Sequence, residues 1–176
     1  MLRRIRILIT STLIPSIVAT VAAAAPGTVD GAAWQNYTHP RLQFRLSFPA
    51  DIFAIDPAAN LDDGLALRNA DGSARLLIGA FENEDDASLG DYRKVVLERS
   101  YLGAKLDYAP VRKTWFVVSG ERDGKMFYER VDFTCGGRRI TSWAMIYPVA
   151  ERRRYDRIVE RIAPTYVPSR GGSAGC

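Results

Sequence analysis

An α+β fold, a mostly antiparallel curved sheet with two packed helices, is what three features of this sequence predict. Short strand patterns dominate from Trp34 onward, Asp-Gly and Gly-Gly turns join them, and only two segments carry helical spacing. Two helices are too few for alternating strand–helix units and a parallel sheet. The 176 residues, 47% hydrophobic and 25% charged, are enough for one ordinary domain and exclude a disordered chain.

Residues 1–24 read as a secretory signal peptide. Arg3, Arg4 and Arg6 precede an apolar run over residues 7–21, and Ala22 and Ala24 offer the small side chains that a signal peptidase needs. An uncleaved anchor is the other reading, and Pro15 with the Ser and Thr residues of the run speaks against it. The predicted location is periplasmic or secreted, with no stable membrane insertion after cleavage. The formal charge of +4 leans on those three arginines, so the remainder is near balance and carries no nucleic-acid footprint.

Residues 25–33 form a linker, 34–167 one domain, and 168–176 a flexible tail. The segment RLQFRLSF alternates, placing Leu42, Phe44, Leu46 and Phe48 on one face, and Pro49 ends it. LALRN and ARLLIGAF flank residues 70–73, whose Asp71-Gly72 favours a hairpin. A helix is predicted over 88–102, capped by Ser88 with Asp91 in the third position and closed by Gly103.

KTWFVVSGER and KMFYERVDFTC are then joined by Asp123-Gly124. Cys135-Gly136-Gly137 leads into RRITSWAMIYP, completing a meander of three strands. Pro148 is expected to open the last helix, with Tyr155, Ile158, Val159 and Ile162 as its buried stripe and Pro164 as its stop. One amphipathic sheet face needs cover, which the two helices can supply.

In this layout YTHPRLQFRLSFPADIF resembles the opening of PsbP-like domains. The stretch from TWFVVSGERDGKMFYERV through CGGRRI to YPVAERRRYDRIVERIA is similar to small exported bacterial proteins of unassigned function. The likeness covers nearly all of residues 34–163 and rests on turn and core residues. It implies a curved antiparallel sheet with helices packed on it, and it carries no catalytic residue, because such folds share no common chemistry.

The residues offer few parts for catalysis. His39 is the only histidine, too little for a histidine-rich metal site, and reads as a surface or capping residue. There is no G-x-S-x-G, and Ser119 lies within a strand pattern. Cys135 and Cys176, the only cysteines, read as a disulfide in an oxidising compartment, closing a loop of about 40 residues worth roughly 4 kcal/mol in the chain-entropy model. The other reading is a frayed tail with a thiol.

Glu82, Glu84, Asp85 and Asp86 could supply calcium oxygens, but they lack calcium-hand spacing and read first as a solvated loop before a helix. Gly136-Gly137 with Arg138 and Arg139 could hold an anion, although the segment opens a strand rather than a helix. Arg153, Arg157 and Arg161 line up at four-residue spacing as a surface for anions or an acidic partner. Pairs such as Arg152–Asp156, Arg153–Asp156 and Arg157–Glu160 would make the same face an ordinary solvated one.

The sequence thus predicts an exported, non-enzymatic envelope accessory or binding module, without cofactor or resident metal, acting on an envelope protein partner. A small hydrolase with an unfamiliar site and a small-ligand binder are the alternatives.

Overall fold

The computed structural model describes residues 32–59 and 63–169. Residues 1–31, 60–62 and 170–176, the signal peptide and Cys176 among them, lie outside them.

A seven-stranded antiparallel sheet has the order β3-β4-β5-β9-β8-β7-β6, and a two-stranded hairpin, β1-β2, stands apart from it. The strands are β1 (Trp34–Thr38), β2 (Arg45–Pro49), β3 (Ala54–Ile55), β4 (Gly64–Arg68) and β5 (Arg75–Glu82). After helix α1 (Leu89–Arg99) come β6 (Lys105–Tyr108), β7 (Trp115–Arg122), β8 (Lys125–Thr134) and β9 (Arg139–Pro148), then helix α2 (Arg152–Ile162). The last four strands are consecutive antiparallel neighbours, as the meander requires.

Turn chemistry sets the registers. Arg122 pairs with Lys125 across a two-residue turn in which Asp123 (φ 51°) and Gly124 (φ 72°) are both left-handed, the geometry that matches strand twist. The loop between β4 and β5 is longer, six residues between the Arg68–Arg75 pair. Asn69 organises it: its Oδ1 accepts from Ala74 N–H at 2.9 Å, and its Nδ2 donates to Ser73 Oγ at 3.1 Å and Tyr155 OH at 3.0 Å.

Helix α1 begins where Ser88 Oγ accepts from Asp91 N–H at 3.1 Å, and it ends at Arg99, three residues short of the predicted end. The start of α2 also differs from expectation. Pro148 remains in β9 opposite Lys125, and a 3-10 turn over Val149–Glu151 intervenes before the helix. Val149 N–H is bonded to Gly124 O at 3.1 Å, which holds the chain on the sheet for one more turn.

The two helices lie on opposite faces of the sheet, a correction to the single covered face expected from sequence. Tyr155, Ile158, Val159 and Ile162 of α2 join Trp143, Met145, Leu76, Ile78 and the hairpin residues Phe44, Leu46 and Phe48 in one core. Val96 of α1 joins Phe116, Val118, Phe127, Val131, Phe133 and Ile140 in the other. The physical reason is in β7, where Phe116, Val117 and Val118 are consecutive buried residues, and in β8, where both Met126 and Phe127 are buried. Strands apolar on both sides need cover on both sides.

The chain after α2 returns to the hairpin. Arg45 and Val167 exchange backbone hydrogen bonds at 3.0 and 2.8 Å, and Ser47 N–H donates to Thr165 Oγ1 at 2.9 Å. Ser169 is fully buried, donating through Oγ to Leu42 O and through N–H to Thr141 Oγ1 at 3.2 Å. Residues 168–169, read as tail from sequence, are therefore part of the packed domain.

Candidate functional site

Helix α1 covers only part of its face. It lies over β7 and β8, whereas β4, β5 and the adjoining part of β9 remain open beside it. Two cross-strand rows run from the floor of the resulting cleft, where Gly64, Leu77, Gly79, Glu129, Ser142 and Ala144 line it, to the part of the sheet beneath α1. Registers align Ala66, Leu77, Ala144, Glu129 and Val118 in one row, and Gly64, Gly79, Ser142, Val131 and Phe116 in the next. The cleft encloses about 630 Å³, with Phe81 and Tyr101 on its walls and Ile146 at one end. That volume is within the range for small-molecule sites.

Small residues create the space. A Cβ at Gly64 would sit 2.5 Å from the Ile78 carbonyl, so the close approach of β4 to β5 excludes any side chain there.

Glu129 is the one ionisable group on that floor. It interrupts an apolar stripe, with Phe127 and Val131 as its same-face neighbours along β8. Tyr101 OH donates to Glu129 Oε2 at 2.7 Å, and the Tyr101 ring stacks on Phe127 with centroids 4.0 Å apart. Burial pushes the Glu129 carboxyl up from the usual carboxylate range, a rise that the Tyr101 hydrogen bond partly offsets. Burial, reinforced by the nearby Glu129, also raises Tyr92 to about 12 and pushes Tyr101 well above the ordinary phenol range. The second carboxylate lining the cleft, Asp63, is ion-paired at the rim with Arg41. No lysine or arginine lines the cleft among the described residues.

The residues singled out from sequence are dispersed. Arg153, Arg157 and Arg161 are exposed on α2, and Arg161 lies 4.4 Å from the Trp34 ring centroid. Asp156 is engaged by Arg152 Nε at 3.2 Å and by Tyr147 OH at 2.6 Å, and Arg152 also reaches Asp107 at 3.3 Å. The Arg153–Asp156 and Arg157–Glu160 pairs do not form among the described residues, whereas Arg152–Asp156 does.

Glu82 is ion-paired with Arg139, while Glu84, Asp85 and Asp86 occupy the following loop, where Asp86 has φ 48°. Among the described residues no three His, Cys, Asp or Glu side chains converge as metal ligands. Glu82, Glu84 and Asp85 border an adjoining, mixed-polarity depression of about 760 Å³ that shares Asp63, Ala80 and Phe81 with the cleft and also includes Arg41 and Arg139.

His39 is buried, a correction to its surface reading and in keeping with its capping one. Its Nδ1 accepts from Leu42 N–H at 3.0 Å and Arg41 N–H at 3.3 Å, and its ring packs on Phe44 at 4.8 Å. Cys135 opens the β8–β9 turn with φ 56°, followed by Gly136 at 70° and Gly137 at 95°. Among the described residues no cysteine is free. Arg138 Nε donates to Cys135 O at 3.2 Å within this turn.

No protein-family model matches the chain, and no curated protein is significantly similar to it. Among solved structures it is similar to CyanoP, the cyanobacterial PsbP of Synechocystis sp. PCC 6803, with a TM-score of 0.55 and 16% identity. That match covers 82% of this chain and 97% of CyanoP. A structure from Bacteroides thetaiotaomicron VPI-5482 matches at a TM-score of 0.46 and 15% identity, over 76% of this chain and 48% of that one. The likeness to CyanoP shows the fold, which is PsbP-like α+β, as the sequence resemblance implied. Among the described residues no helix is long and apolar enough to cross a membrane.

Proposed function

We propose that this chain is an exported accessory protein that works by binding rather than by catalysis, and that the open half of the α1 face is its binding site. The observation that carries this reading is the cleft itself: an apolar, small-residue floor beside a helix that covers the rest of the same face. A binding site needs such a concave surface and one or two fixed polar groups, which Glu129 and Tyr101 supply. Hydrolysis by paired carboxylates is less well supported, because Asp63 is neutralised by Arg41 at the rim and Glu129 stands alone on the floor.

The test is titration with a neutral fluorescent probe such as N-phenyl-1-naphthylamine. Saturable binding at one site, abolished by Ala144→Phe in a variant with unchanged circular dichroism, supports the cleft. Binding unaffected by that substitution places the site elsewhere.

A second surface has its own observation. Arg153 and Arg157 are exposed and make no ion pair among the described residues, which suits docking on an acidic envelope protein. Capture of a partner from envelope extracts by the wild type but not by R153E/R157E is the expected outcome, and equal capture by both counts against the arginines. Export and a Cys135–Cys176 bridge belong to the same proposal. An intact mass without reductant should show loss of residues 1–24 and of two hydrogens; an uncleaved mass would make the protein membrane-anchored.

A further inference from the structure

The charge balance of the cleft indicates what it holds. Its lining carries carboxylates and no cation, with Asp63 already paired to Arg41 at the rim. Glu129 is left with a single hydrogen bond, from Tyr101, and no ion pair among the described residues. A carboxylate has about four acceptor positions, so Glu129, which lines the cleft, has capacity for a further donor beside Tyr101. A partly desolvated carboxylate is stabilised by an opposite charge brought to hydrogen-bond distance. Apart from Ser100, Ser142 and the rim Asp63, the surface around Glu129 is apolar: Leu77 and Ala144 on the floor, Ile146 at one end, Phe81 and Tyr101 on the walls.

We infer that the cleft binds an amphiphilic organic cation, a primary ammonium seated on Glu129 with its apolar body lying along the β4–β5–β9 floor. This rests on the cleft being the binding site and adds the chemical class of its occupant. Neutral apolar molecules would gain the same floor contacts but leave the carboxylate without a counter-charge. Anionic amphiphiles would meet Glu129 head-on. The charge of the head group therefore decides affinity, and the chain length sets how much floor is covered.

Calorimetric titration of the mature protein at neutral pH with octylammonium, octanol and octanoate, each below its micelle-forming concentration, tests the inference. Octylammonium should bind at least about tenfold more tightly than octanol, and octanoate more weakly than both. Glu129→Gln should remove that preference, bringing octylammonium to the octanol affinity while octanol binding stays within about twofold. Equal binding of octylammonium and octanol by the wild type would overturn the cation assignment while leaving the apolar cleft intact. No binding of any of the three, by a protein whose fold is verified by circular dichroism, would overturn both the assignment and the cleft. Retained ammonium preference in Glu129→Gln, together with its loss in Asp63→Asn, would move the cationic subsite to the rim and overturn the role given to Glu129.

Discussion

Glu129 is where a single residue's environment makes a measurable demand. Its folded-state affinity for a proton is raised, so its contribution to stability is full below the ordinary carboxylate range and declines as pH rises through that range toward the folded value. Tyr92 and Tyr101 beside it titrate far higher and do not confuse this window. Urea unfolding of the wild type and Glu129→Gln across mildly acidic to neutral pH should show the Gln variant gaining relative stability as pH rises. A difference that stays flat with pH would contradict the burial argument. Tyr101→Phe should cost about 1–3 kcal/mol at neutral pH, because the carboxylate loses its one donor. Part of this was legible: in KMFYERVDF the alternation places Glu129 among Phe127, Val131 and Phe133, a carboxylate in an apolar stripe. Tyr101 was not legible as its partner, since it arrives from beyond α1, 28 residues away in the chain.

At the scale of elements, local chemistry and tertiary context divided the outcome between them. The Asp123-Gly124 turn and the Ser88 cap were readable because both are decided by residues within a few positions of each other. Gly124→Ala should cost roughly 1–2 kcal/mol, since φ 72° places a Cβ in the left-handed region. Ser88→Ala should cost about 1 kcal/mol in the same denaturant assay, with a slope unchanged from wild type. The start of α2 was misread because Pro148 suits a helix opening locally, while its pairing with Lys125 is set by the preceding hairpin. The sides taken by the helices were also hidden. A run such as WFVV is apolar on both faces and does not say which helix will cover which.

For the whole molecule, one sheet separates two cores, and their energetics should differ. Trp143 is fully buried and packs against both Tyr128 (4.9 Å) and Tyr166 (6.1 Å) on the α2 side. Trp143→Ala should lower stability by about 3–5 kcal/mol, readable as a shift of the urea midpoint. The α1 side gives up part of its cover to the cleft, so substitutions on that floor such as Ala144→Phe should cost less than 1–3 kcal/mol, roughly the range for overpacking a closed core. The β4–β5 hairpin and the closing meander were readable from their turns, whereas the short strands β1 and β3 and the pairing of β5 with the distant β9 were not, because no turn joins β5 to β9. The incomplete cover that makes the cleft was not, because it depends on where an 11-residue helix comes to rest on a seven-stranded sheet.

The clasp between the first hairpin and residues 165–169 has a consequence in time. Ser47 and Thr165 are 118 positions apart, and Leu42 and Ser169 are 127 apart. The strands of the hairpin must therefore wait for residues 165–169 before they can be fastened. Such remote pairing is slow to close, leaving the chain open to threading, chaperones and proteases in the interval. Removing only residues 164–169 would leave every strand of the main sheet in place, yet it would release a hairpin made more than a hundred residues before its fastening.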